Sequence, residues 1–450
     1  MSNTKQADGE IHEDQLLNFL VNALDEEVAL TLAENAELDA EDIYEVLVGA
    51  CADGTSVSTL CERSEDAPHE NSVLYHLRTK FDLETLEQVG NALLQKDVLD
   101  VLPQQVEVVS DLHLRPYYGD EDGTDGLYHS QAKRGTTAFH AYATLYARVK
   151  NKRYTLAVRR LEDGDTASSV LAEFLGILDG LDLGVKAVFL DREFYDSKCL
   201  TLLHAHNHAY VMPIVRWGQT IKQELSEGWS RVIQHDMTAK LDGHSWTVEF
   251  PVYIDCTYQN GRYDEHGVAR HGYAADAPFI DSPRDARYHY AKRFGIEASY
   301  RLSEQSIATT STQNPVVRLL YVVVSLLLQN VWRYLHWEYV ATPRRGGRRL
   351  WQWSFKEFIN MIQRAAWTAR RDASGRPRKP ITRRPVYPLI PDRGSLRQEW
   401  RRCRVGGGCR RQRQLSVSWS KILSSRPPAQ PLRHGTQASE TASQGCFVRY

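Results

Sequence analysis

Apolar residues recur every three or four positions through residues 15–24, 41–51 and 83–94, with acidic residues on the opposite side, which predicts three amphipathic helices. Between the second and third, residues 55–63 read as a short capped helix. A turn carrying Pro68 follows, then a second short helix from about Asn71 to Lys80. From Gln104 the period shortens to that of strands. Residues 106–114, 136–149 and 153–161 are β-branched and aromatic runs, the last two joined by a Lys150-Asn151-Lys152 turn. The stretch from Arg115 to Gly126 is a loop rich in Gly, Asp and Tyr, closed by residues 131–135. A helix over 166–181 opens on an Asp165/Thr166 cap, an apolar strand over 185–190 ends in Asp191, and a helix at 197–208 precedes a strand at 209–215.

Strand, hairpin, helix, strand, helix, strand is the element order of the RNase H-like fold, an α/β architecture with a mixed sheet flanked by helices. In that fold the first and fourth strands lie adjacent. Asp111 and Asp191, near the carboxyl ends of two such strands, would therefore meet although 80 residues apart. Residues 216–285 interrupt the order with short strand-like pieces and read as a mainly β insertion before the last helix of the core. Residues 286–301 contain no proline and read as one helix, and the apolar run 314–340 as a long helix covering the sheet. The expected organisation is a helical domain at 1–103, the first part of the core at 104–215, the insertion at 216–285 and the second part at 286–340. A basic, aromatic helix at 341–372 and an Arg/Pro/Gly/Ser-rich tail at 373–450, which reads as disordered, complete the chain.

Charge adds to this picture. Net charge is −2, yet residues 341–450 carry 25 Lys+Arg against 5 Asp+Glu, while the preceding 340 residues carry 30 against 52. Phosphate-binding surfaces are normally cationic, so an acidic body of this kind suits a cytoplasm at very high salt, where charges are screened within a few ångströms. That points to a halophilic archaeon, with an acidic bacterial protein the plainer alternative. The unpatterned basic tail reads either as out-of-frame or read-through sequence or as a DNA-attracting segment. Seven cysteines, an odd number without paired spacing, argue against a disulfide framework. The first residues lack the apolar core of a signal peptide, and the apolar run 316–331 is interrupted by Arg318 and ends in Gln329-Asn330, which suits a buried helix better than a membrane span. The expectation is an intracellular, soluble protein with no membrane association.

The candidate chemistry centres on residues 286–301. On a helical period Tyr290, Arg293, Glu297, Arg301 and Glu304 share one face, which thereby carries an aromatic, two guanidiniums and two carboxylates. A solvated helix laced with Arg–Glu pairs has the same pattern. With Asp111 and Asp191 on two strand ends, Glu297 makes a third carboxylate, and three carboxylates can hold a pair of hard divalent ions. His204, His206 and His208 invite a metal reading too, but suit a polar helix end.

Tyr290, Arg293 and Glu297 resemble the Tyr-x2-Arg-x3-Glu-x6-Lys signature of prokaryotic insertion-sequence transposases with a DDE triad, and residues 191–195 (Asp-Arg-Glu-Phe-Tyr) are similar to the motif around that family's second aspartate. The resemblance covers about residues 106–340 and points to a haloarchaeal branch. The signature lysine falls at Glu304, and Glu193 stands where many relatives have glycine; Arg301, one turn past Glu297, is a substitute positive charge. The resemblance implies Mg2+-dependent cleavage at the element's terminal inverted repeats, and strand transfer into target DNA by a homodimer in the nucleoid. Two Mg2+ ions, with Mn2+ as an alternative, would be held by Asp111, Asp191 and Glu297, Asp111 being shared. Tyr290, Arg293, Arg301, Lys133, Arg134 and Trp217 are then the expected DNA contacts, with Trp229 and Trp246 further candidates for base stacking. Insertions of this kind in the family sit over the active site. The two short helices read as a helix-turn-helix offering Asn71, Ser72, Tyr75, His76 and Arg78, or as a bundle that only packs on the core. A nuclease of the same fold without strand transfer, and a catalytically decayed DNA-binding protein, remain open alternatives.

Overall fold

The computed structural model describes residues 12–33, 36, 38–63, 67–149, 152–241, 243–258, 267–294, 301–336, 342–344, 347–349 and 353–372. The basic tail at 373–450 and Glu297 lie outside the described residues. Six helices come first: α1 Glu13–Val28, α2 Ala40–Asp53, α3 Val57–Arg63, α4 Glu70–Thr79, α5 Leu83–Gln95 and the single turn α6 Val98–Val101. Their ends follow local chemistry. The Asp39 and Asp82 carboxylates accept the free N–H groups of Asp42 and Thr85, and α2 stops at Gly54, whose φ of 62° is open to glycine.

The sheet is built from β1 Gln105–Pro116, β2 Tyr128–Lys133, β3 Thr136–Val149, β4 Lys152–Leu161, β5 Gly184–Phe189 and β6 Tyr210–Pro213. Helix α7 (Ala167–Gly180) links β4 to β5, and α8 (Ser197–Ala205) links β5 to β6. In space the strands run β4-β3-β1-β5-β6, the first three antiparallel and β1, β5 and β6 parallel. This is the RNase H-like order. The sequence reading missed β2, which pairs with the start of β3 through a hairpin turned by Arg134 and Gly135, at φ 54° and 85°.

After α9 (Gln219–Glu224), the strands β7 Arg231–Leu241, β8 His244–Tyr258 and β9 Val268–Asp276 join the same sheet, β9 pairing with β6. The insertion thus prolongs the sheet. Backbone hydrogen bonding explains this: without β9, the outer edge of β6 would be an unpaired strand. Helix α10 (Pro283–Ala291) starts at a Ser282 cap with Pro283 in its first turn. Helix α11 (Pro315–Leu335), the hairpin β10 (Thr342–Arg344) and β11 (Gly347–Arg349), and α12 (Phe355–Asp372) end the described chain.

Sheet parity divides the core. Val108, Ala143, Val188 and Leu190 face α7 and α8, whereas Val109, Tyr146, Ala187 and Phe189 face α10. Helix α11 covers the β3–β4 end of the sheet, where Tyr142 and Val158 join a core it shares with α1–α5 and α12. It is long and apolar enough to cross a membrane by length and composition, but most of it is buried within the fold. In the α3–α4 pair Val73 and Leu77 pack inward, and Asn71, Ser72, Tyr75 and Arg78 are exposed.

The outer edge of β4 is closed by side chains instead of a strand. A bulge leaves Leu156 without a partner on β3. Buried Asn330, on α11, accepts from Thr155 N at 2.9 Å and donates to Thr155 O at 2.8 Å and Leu94 O at 3.0 Å. Along α5, Glu87 and Asn91 accept from Arg160 N and Val158 N, each at 2.8 Å, and Gln95 donates to Leu156 O at 3.0 Å. These three residues are four apart, so one helix face supplies the missing ladder.

Candidate active site

Strand register places the first two carboxylates. The last β1–β5 pair is Val109 with Phe189, so Asp111 and Asp191 each stand two residues further on and project to the α10 face, like those two apolar residues. Asp111 is still inside β1, which continues beside β3 after β5 has ended. Asp191 has left its strand and caps a 3-10 turn, Arg192–Phe194, its Oδ1 accepting from Arg192 N at 2.7 Å.

Helix α10 lies against this face and brings the other groups. The sequence reading expected an unbroken helix over 286–301; instead α10 ends at Ala291 and tightens into a 3-10 turn, Lys292–Phe294. Glycine at 295, a poor helix former, follows directly. From that turn Arg293 reaches both aspartates, with Nη2 at 2.7 Å from Asp111 Oδ1 and 3.5 Å from Asp191 Oδ2. The two carboxylate oxygens can be no farther apart than those two lengths end to end. The Tyr290 hydroxyl donates to Asp191 Oδ1 at 3.4 Å and accepts from Arg293 Nη1 at 3.4 Å.

Burial pushes the Asp111 carboxyl up to about 6, against the pull of Arg293, and the Asp191 charge pushes the same way. Burial likewise raises the Tyr290 hydroxyl, leaving it a neutral donor at neutral pH. His113, two residues along β1, is pushed down to about 4 by burial. Tyr273, on β9, holds the Tyr290 ring with centroids 5.4 Å apart, and Arg287 pairs with buried Asp255 of β8 at 3.1 Å. Neither contact was anticipated, because both depend on β8 and β9 extending the sheet beneath α10.

Of the other expected site residues, Lys133 lies 3.8 Å from Glu193, in the turn after Asp191, which brings the β2–β3 hairpin to the rim of the site. Arg134 is exposed at the tip of that hairpin, and Arg301 and Glu304 are exposed in a short helical piece and the turn after it. Trp217, Trp229 and Trp246 are 76%, 70% and 54% exposed, so none of them fills the core of the insertion. Glu297 lies outside the described residues, and among those described no group of three or more His, Cys, Asp or Glu is arranged to hold a metal ion. His206 and His208 are taken by Asp179 at 2.7 and 3.5 Å, and His204 by the Tyr210 hydroxyl at 3.2 Å, which accounts for the histidine cluster. Two carboxylate oxygens gathered around one positive charge are donors of the hard type that divalent ions prefer.

No protein-family model matches the chain, and no curated protein matches it. Among solved structures it is similar to the cryo-EM structure of a piggyBac transposase synaptic complex with hairpin DNA, at 11% identity and a TM-score of 0.49, over 81% of this chain and 80% of that one.

Proposed function

We propose that this protein is a DDE transposase, which cleaves DNA at the terminal inverted repeats of its element and joins the freed 3′ ends to target DNA. The observation that carries the reading is the convergence of Asp111 and Asp191 on one sheet face, gathered by Arg293 and Tyr290. The RNase H-like strand order and the likeness of Tyr290, Arg293 and Glu297 to the transposase signature support it.

In this reading Asp111, Asp191 and Glu297 would hold two Mg2+ ions, which Mn2+ could replace. When bound, such ions stabilise the charge that develops as a phosphodiester is cleaved. Asp111 would serve both ions, Asp191 one of them and Glu297 the other. Tyr290 and Arg293 position the phosphate at the cleaved end, the guanidinium offering a planar fork to its oxygens. Lys133, Arg134 and Arg301 hold the backbone nearby, and exposed Trp217 stacks on unpaired bases. The DNA-bound form is a homodimer, each copy acting at one end of the element.

The test is an oligonucleotide assay on the DNA that borders the gene. Mg2+-dependent cleavage at that DNA, lost in Asp191→Ala, is the expected result, together with joining of pre-cleaved 3′ ends to a plasmid. Cleavage without joining would leave a nuclease of the same fold; no cleavage under any condition would leave a DNA-binding protein.

A further inference from the structure

One oxygen of each aspartate is engaged by a single side chain. Arg293, itself buried, holds Asp111 Oδ1 and Asp191 Oδ2 with the same Nη2 atom. The other Asp191 oxygen is committed to Arg192 N and the Tyr290 hydroxyl, and Arg293 Nη1 closes the circuit by donating to that hydroxyl. Electrostatics explains the arrangement. Two carboxylates this close and only partly exposed repel each other strongly unless a cation lies between them. A divalent ion bridging the pair through these two oxygens would take the place of the guanidinium, because two positive groups cannot occupy that position together.

We propose that Arg293 is a displaceable internal counter-ion: it keeps Asp111 and Asp191 together, and a hard divalent cation bridges them only when the guanidinium swings out. This rests on the metal reading given above. The chain provides for the movement, since Arg293 sits in the 3-10 turn after Ala291, whose bonding is weaker than that of α10 itself. A displaced guanidinium has lost two carboxylate partners and is ready to take phosphate oxygens as a fork. Arrival of the ion and readiness for a DNA phosphate are thereby coupled.

The test is Mn2+ binding to the full-length protein without DNA, measured by calorimetry on wild type, Asp111→Asn, Arg293→Met and Arg293→Lys. Wild type binds and Asp111→Asn does not. Arg293→Met binds about tenfold more tightly than wild type, within the usual range of coupling between sites. Arg293→Lys, which keeps the charge but has no second nitrogen to hold the Tyr290 hydroxyl, falls between them. In EDTA, Arg293→Met melts below wild type, and Mn2+ raises its melting temperature by more than it raises that of wild type. If Arg293→Met does not fold, the lysine variant carries the comparison. Equal or weaker Mn2+ binding in the Arg293 variants, with Asp111→Asn still abolishing it, overturns the counter-ion and leaves the metal site standing. Absence of Mn2+ binding in wild type, or binding that Asp111→Asn leaves unchanged, overturns the metal reading and the inference with it.

Discussion

Two regions of this molecule bury polar groups, and they do so on opposite terms. At the outer edge of β4, Asn330, Asn91, Gln95 and Glu87 each meet a backbone group left over by the strand or its bulge. Donors and acceptors match, and the result closes an edge. At the carboxyl ends of β1 and β5, two carboxylates are gathered on one face and share one guanidinium. Burial raises the Asp111 carboxyl, so its charge opposes folding at neutral pH. The first arrangement stabilises the sheet; the second spends some of that stability on a chemical site. In the first region each polar group meets a backbone partner; in the second, two like charges depend on a single cation.

Substitutions at the two regions should therefore dissociate. The largest effect is expected from Asp111→Asn, which should lower Mg2+-dependent cleavage by about a thousandfold or more, roughly 4 kcal/mol of transition-state stabilisation. The same variant should melt no lower than wild type at pH 7.5, because the amide resembles the protonated form that burial favours. A marked drop in melting temperature would put Asp111 in the structural class and break the comparison.

Asn330→Leu is the converse. It strands the Thr155 N–H and C=O and the Leu94 C=O in the core, and should cost about 3 kcal/mol or more in urea unfolding. Loss of less than about 1 kcal/mol would show that the β4 edge does not depend on this amide.

Glu87 sharpens the contrast, since it belongs to the structural region yet carries a charge. Burial raises its carboxyl to about 7 from an ordinary 4.5. Between those values the native state binds more protons than the unfolded chain, so stability falls as pH rises through that window. Glu87→Gln should flatten this part of the pH profile and stabilise the protein at pH 8 by roughly 1–3 kcal/mol. An unchanged profile would mean that the carboxylate is well solvated. Trp217→Ala, outside both regions, should leave stability unaltered and weaken single-stranded DNA binding by about 1 kcal/mol, severalfold in a filter or anisotropy titration.

Much of the core was legible because its signals are local. The apolar runs of β1 and β5, the Thr166 cap of α7 and the apolar stripes of α1, α2 and α5 are each set by residues close along the chain. Strand β2 was not legible, because its residues alternate weakly and only the turn at Arg134 and Gly135 commits them to pairing. Nor was the placement of β7–β9, since strands that complete another strand's edge carry no mark of which edge that is. In the candidate site, Asp111, Asp191, Tyr290 and Arg293 could be nominated from strand ends and helical spacing. Tyr273, the partner of Tyr290, could not.

What the sequence determined by itself is therefore most elements of the core, their order and the acidic residues at two strand ends, all properties of neighbours along the chain. Tertiary structure alone decided that β1 and β5 share a register, that α10 stops after Ala291, and that Arg293 turns inward between two carboxylates. The physical reason is range. Periodicity and capping act over a few residues, whereas the repulsion between two aspartates, and the cation it demands, exist only once folding has brought distant segments within a few ångströms.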